Sequence, residues 1–140
     1  MFSLMKFLVD PQLIADALEG ESEEGKRAVA LLECHRADEL ILAPTSYIAL
    51  SPAFMGIRSM QDRFLENFGI RVTRNAPAKV MDAAYSAWSR YQQENPRIAG
   101  GNSVFDQLYI GAYALLYDGI LTRQGGLYRR YFETLNIVEP

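Results

Sequence analysis

Five short apolar runs, each separated from the next by residues at helical spacing, constrain this chain more than any other feature. They are Met5–Val9, Glu39–Ala43, Ile70–Thr73, Ile120–Thr122 and Asn136–Val138. Runs of four or five apolar residues bounded by Pro, Gly or Asp read as buried strands. The intervening segments carry helix signals. Asp10-Pro11 places an N-cap before a proline suited to the first helical position, and the helix runs to Leu18 ahead of Gly20. Ser22-Glu23-Glu24 opens a second helix with acids at its positive end. Pro44-Thr45 starts a third, which Pro52 ends or kinks. Ser59-Met60-Gln61-Asp62 resembles a capping box ahead of Phe64, Leu65 and Phe68. Pro77–Glu94, Ser103–Tyr117 and Leu127–Phe132 complete the set. Strands alternating with helices predict an α/β fold: a three-layer α/β/α sandwich around a mostly parallel sheet of about five strands, with Asn136–Val138 at its edge.

At 140 residues the chain has the length of one domain, expected to span 1–140. Apolar residues make up 49% and charged residues 22%, which excludes a disordered charged tail. The net charge of −3 argues against holding nucleic acid by bulk charge, so such a role needs a local patch or metal ions. Cys34 is the only cysteine and His35 the only histidine, so neither an internal disulfide nor a Cys/His zinc site can form. Cys34 is expected as a small apolar filler and His35 as a helix-end cap or a solvent-facing residue. Met1–Val9 is too short for a signal-peptide core and there is no 18-residue apolar stretch, so the expectation is a cytoplasmic protein without a membrane span.

In open parallel sheets the ligand crevice lies beyond the carboxyl ends of the strands, where strand order reverses. That rule directs attention to Asp10, to Pro44–Leu50 and to Thr122–Gly126, with Asp106 joining them if its helix packs beside the first strand. No phosphate-binding glycine loop and no nucleophile elbow is present. Asp10 and Asp106 each also have a plain reading as helix caps, and Asp118 before Gly119 reads as a turn residue.

Several fragments, in their order and spacing, resemble a PIN domain of the small VapC-like kind. They are Phe7-Leu8-Val9-Asp10, Leu42-Ala43-Pro44-Thr45-Ser46-Tyr47, Phe105-Asp106-Gln107-Leu108 with the apolar residues after it, and Asp118-Gly119-Ile120-Leu121-Thr122-Arg123. The resemblance covers nearly the whole chain. It implies a parallel sheet with helices on both faces, Mg²⁺- or Mn²⁺-dependent cleavage of RNA, and an antitoxin protein or a second copy of the chain as possible partners. It also implies a site built from acids in four positions. Asp10 matches the first and Asp106 the third, as catalytic and metal-binding residues. Leu50 stands at the second and Gln124 at the fourth, with Ser46 and Thr122 also lining the site. Pro11 and Gln12 replace the Thr or Ser and the Asn that usually follow the first acid.

Two carboxylates cannot hold the charge of two divalent ions, but one Mg²⁺ is often bound by one or two carboxylates with waters and phosphate oxygens. Arg123, Arg129 and Arg130, interleaved with Tyr128 and Tyr131, offer guanidinium forks for phosphate and aromatic faces for unpaired bases. Tyr47, Phe54, Met55 and Met60 flank Pro52, either as core or as a groove for a partner helix. The leading expectation is therefore a metal-dependent endoribonuclease with a reduced acid set. The alternatives are a catalytically inactive PIN-like module that binds RNA or a protein, and a structural subunit of an oligomer.

Overall fold

The computed structural model describes residues 4–95 and 102–140. Strands β1 (Lys6–Val9), β2 (Glu39–Leu42), β3 (Ile70–Val72), β4 (Gly119–Leu121) and β5 (Ile137–Val138) form one sheet in the order β3-β2-β1-β4-β5. Every neighbouring pair is parallel. The helices are α1 (Pro11–Leu18), α2 (Glu23–Cys34), α3 (Pro44–Ala49), α4 (Arg58–Asn67), α5 (Ala78–Glu94), α6 (Asn102–Ala114) and α7 (Gly125–Tyr131), with a 3-10 turn at Ser51–Phe54.

The strands alternate, and the two faces feed two separate cores. Phe7, Val9, Leu40, Leu42 and Leu121 point into one, packed with α1, α2, α4 and the 3-10 turn. Leu8, Ile41 and Ile120 point into the other, packed with α5, α6 and α7. That two-residue period, with both faces covered, is the expected three-layer α/β/α sandwich. Among the described residues no helix is long and apolar enough to cross a membrane.

The chain enters the sheet at β1, moves outward to β2 and β3, then returns to lay β4 on the other side of β1. The strand order therefore reverses between β1 and β4, so Asp10 and Thr122, each directly after its strand, flank the switch point. Asp118 ties the opposite end. Its Oδ2 accepts the Lys6 N–H at 2.7 Å, and its own N–H donates to the Lys6 carbonyl at 2.8 Å.

Several local expectations are corrected. The capping box at Ser59–Asp62 does not form: the N-cap of α4 lies two residues earlier, at Ile57, and makes no side-chain cap. Without an N-terminal side chain to mark the start, tertiary packing sets the boundary. Helix α6 stops at Ala114, because Leu115, Leu116 and Tyr117 donate to carbonyls three residues back and turn the chain into β4. Its start at Asn102 includes Ser103, whose side chain lies outside the described residues, as does the loop 96–101. Cys34 is exposed at the end of α2 rather than packed. Phe54 is core, whereas Met55 stands out in a left-handed conformation.

Gly25 is required by close approach. A Cβ there would lie 1.8 Å from the Glu19 carbonyl oxygen, because α2 packs directly against the end of α1. Gly20 has room, with its nearest neighbour at 3.8 Å. Gly25→Ala should destabilise the fold by about 1–3 kcal/mol, the usual scale of overpacking. Gly20→Ala should stay within about 0.5 kcal/mol of wild type in the same urea-unfolding measurement.

Candidate functional site

A cleft of about 310 Å³ opens at the carboxyl edge of the sheet, lined by Asp10, Gln12, Leu50, Asp106, Gln107 and Gln124 among others. All four positions singled out in the sequence thus meet in one place.

Asp10 is built into the fold. It is 5% exposed and serves as the N-cap of α1, where Oδ1 accepts the Gln12 N–H at 3.1 Å. Its Oδ2 accepts two hydroxyls, Thr122 Oγ1 at 2.7 Å and Tyr128 OH at 3.0 Å. The Asp10 N–H in turn donates to the Leu121 carbonyl at 2.9 Å, locking the residue to β4. Thr122 Oγ1 also accepts the Gln124 N–H at 3.1 Å, which aims its own proton at Asp10. A carboxylate has about four lone-pair positions. Oδ2 uses both of its own and Oδ1 uses one, so one position on Oδ1 stays open to a further ligand. The cap reading and the site reading of Asp10 therefore hold together.

Burial, more than the neighbouring Asp10 charge, raises the Tyr128 phenol far above its ordinary value. Tyr128 is consequently a neutral, permanent donor to Asp10.

Asp106 stands one turn into α6 with its side chain exposed. The cleft thus pairs one buried, clamped carboxylate with one at the solvent edge. Leu50, 5% exposed at the end of α3, closes one wall with apolar surface. Gln124, exposed at the start of α7, brings an uncharged amide. Among the described residues no group of three or more Asp, Glu, His or Cys side chains comes together.

Three expected placements are corrected. Ser46 is buried within α3, off the cleft lining. Thr122 is fully buried beneath the cleft as a clamp on Asp10 rather than in its wall. Tyr128 is fully buried, so its ring cannot stack on a base. The short helix α7 turns its tyrosines inward and its arginines outward.

Those arginines have protein partners: Arg123 with Asp16, Arg129 with Glu139, and Arg130 with Glu94. The Arg129 and Arg130 pairs are exposed and individually weak, whereas the Asp16 carboxylate under Arg123 is largely buried. Tyr131 OH also donates to Glu94 at 2.6 Å, and this bond, ahead of Arg130, holds the Glu94 carboxyl below its ordinary value. His35 caps α2 before β2 begins, with Nδ1 at 2.9 Å from Asp38 Oδ2, so it lies at the end of the sheet away from the cleft.

Gln12 and Gln107 are cleft residues that the sequence reading names without assigning them to the site. Gln12 follows the N-cap directly, and Gln107 follows Asp106, so adjacency was the available signal.

Tyr128→Phe should destabilise the fold by about 1–3 kcal/mol at neutral pH, because it leaves buried Oδ2 with one donor. Urea unfolding checks this. For Glu94 the sign follows from its lowered value. Its ties to Tyr131 and Arg130 stabilise the fold above the ordinary carboxylate range and are lost as pH falls through its folded-state value. Glu94→Gln should therefore flatten the decline of melting temperature below about pH 4.3, relative to wild type.

Comparison with family models, with curated proteins and with solved structures found no match to this chain.

Proposed function

We propose that this chain is a PIN-like domain of the VapC type, and that its cleft hydrolyses RNA phosphodiesters with a single Mg²⁺ or Mn²⁺ ion. The observation that carries the reading is the convergence of Asp10 and Asp106, one after the first strand and one on the sixth helix, in one cleft at the topological switch point. The donor set fits one hard cation. Asp10 offers its open Oδ1 position, Asp106 a solvent-accessible carboxylate, and the Gln124 amide a neutral oxygen. Such an ion would polarise a phosphate oxygen and lower the pKa of a bound water. The chain's own part is positional. Thr122, Tyr128 and the Gln12 N–H hold Asp10 in one orientation. The Gln12 side-chain amide donates to Asp16 Oδ1 at 3.3 Å, and the amides of Gln107 and Gln124 are placed to hydrogen-bond phosphate oxygens or water without adding charge. Leu50 excludes water from one wall. We further read the protein as cytoplasmic, since an exposed, unpaired Cys34 suits a reducing compartment.

One observation favours a second reading. Leu50 and Gln124 leave the cleft with two carboxylates, which suits a catalytically inactive PIN-like module that binds RNA or a protein partner such as an antitoxin.

Incubation of the purified chain with labelled RNA separates the two. The nuclease reading expects cleavage with Mn²⁺ or Mg²⁺ that stops on chelation. It also expects a rate lower by on the order of 100-fold or more in Asp10→Asn and in Asp106→Asn, the scale of losing one group that stabilises developing charge. Cleavage that persists in chelator, or at full rate in Asp10→Asn, would overturn it. Intact RNA with every divalent ion selects the inactive module.

A further inference from the structure

The larger cleft of the molecule lies on the same sheet edge and is built from opposite chemistry. It has a volume of about 660 Å³ and opens beyond β2 and β3, where Pro44 and Thr73 follow their strands. That size is within the range of roughly 300–1,000 Å³ usual for ligand sites. Two arginines line it, Arg58 and Arg74, and among the described residues neither forms an ion pair. The arginines around α7, by contrast, are all matched to carboxylates.

Arg58, itself exposed, is held in place by a half-buried network. Its Nε donates to Tyr47 OH at 2.9 Å, and its guanidinium sits 5.4 Å from the centre of the Tyr47 ring. Tyr47 OH donates in turn to Asp62 Oδ1. Gln61, only 2% exposed, donates from Nε2 to the Tyr47 carbonyl at 2.7 Å and lines the cleft, while its Oε1 has no hydrogen bond among the described residues. The side chains therefore fix Arg58 through Nε and leave the outer edge of the guanidinium fork to a ligand. Two guanidinium groups against one carboxylate give this lining a positive balance, and planar forks favour phosphate oxygens.

The two clefts share a partition. Ala49, Leu50 and Ala53 face the cleft of the acids, while Tyr47, Ile48 and Ser51 face the cleft of the arginines. One helical segment separates them, about 10–12 Å across. An extended nucleic acid strand covers that width with a few nucleotides.

We propose that Arg58 and Arg74 form a phosphate subsite for the RNA strand whose scissile phosphate lies between Asp10 and Asp106. The subsite rests on RNA being the ligand of the acid cleft. It grips a phosphate a few nucleotides away from the cut, which supplies a local positive foothold on an acidic protein. The rival occupant is a protein partner with acidic side chains, favoured by Ile48 and Met55, which stand 70% and 76% exposed near the rim. The net positive charge of two guanidinium groups against one carboxylate, and the polar network that orients Arg58, favour the polyanion.

The test is binding of a fluorescent single-stranded RNA in EDTA, followed by anisotropy across a salt series. For single strands each phosphate contact adds about 0.7 to the slope of log K against log salt. Arg74→Gln should lower that slope by about 0.7 and Arg58→Gln/Arg74→Gln by about 1.4, with affinity down about tenfold or more. Arg74 makes no side-chain hydrogen bond within the described residues, so its variant keeps the fold even if Arg58→Gln does not. Lys26→Gln/Arg27→Gln, two exposed cations on α2, is the charge-matched control and should lose far less affinity. Equal losses in the control and the cleft variant overturn the subsite. Absence of RNA binding by the wild-type chain overturns it too, and leaves the cleft to an acidic protein partner. Arginine-dependent binding without cleavage in Mn²⁺ supports the subsite and removes only the nuclease reading.

Discussion

A buried carboxylate is tolerable only when its charge is met by well-placed donors, and Asp10 meets that condition from three directions. The backbone of α1 supplies one donor, the residue after β4 a second, and the inner face of α7 a third. The bonds are made by segments far apart in sequence, so the charge of one side chain joins β1 to segments 112 and 118 residues further along. Any movement of β4 away from β1, or of α7 away from the sheet, would leave that carboxylate uncompensated. The same clamp that stabilises the sheet's centre also presents Oδ1 to the cleft with almost no freedom, as a preformed site requires.

The polarity of the sheet then organises the rest. All strands run the same way, so every strand delivers its following residue to one edge. Around the switch point that edge carries acids and amides, and around the outer pair β2 and β3 it carries arginines. A short helical segment stands between the two, with its leucine turned one way and its tyrosine the other. Charge is thus sorted along one rim of an overall acidic molecule. For a polyanion, that arrangement matters more than the net value of −3.

Much of this architecture is legible in the residues themselves. Apolar runs such as Phe7-Leu8-Val9 and Leu40-Ile41-Leu42 alternate between two cores, and local signals such as Asp10-Pro11 mark helix starts directly. Crevice placement follows from the same topology, which points to Asp10, Pro44–Leu50, Thr122–Gly126 and Asp106, whereas Leu50 and Gln124 stand out individually only through the family resemblance. What local pattern does not carry is the direction a short helix faces. Tyr128 lies among arginines, a setting that reads as surface, yet it is the buried donor beneath the site. The partners of Arg123, Arg129 and Arg130 are acids from α1, from α5 and from the chain's end, and no sequence window spans those separations. Thr122 was placed near the site for the right reason, its position after β4, but given the wrong task. The arginine cleft was missed because Arg58 and Arg74 are distant in sequence and meet only when α4 packs beside β3.

The Tyr128 bond also sets a schedule. During synthesis Asp10 leaves the ribosome 112 residues ahead of Thr122 and 118 ahead of Tyr128. Until those hydroxyls arrive, the carboxylate keeps its water and the central strand lacks its second neighbour. The nascent chain can collapse around β1, β2 and β3, but its pocket closes only once β4 and α7 have followed. A chain that stops short of Tyr128 therefore carries no finished site, and whatever chemistry the cleft performs waits for α7.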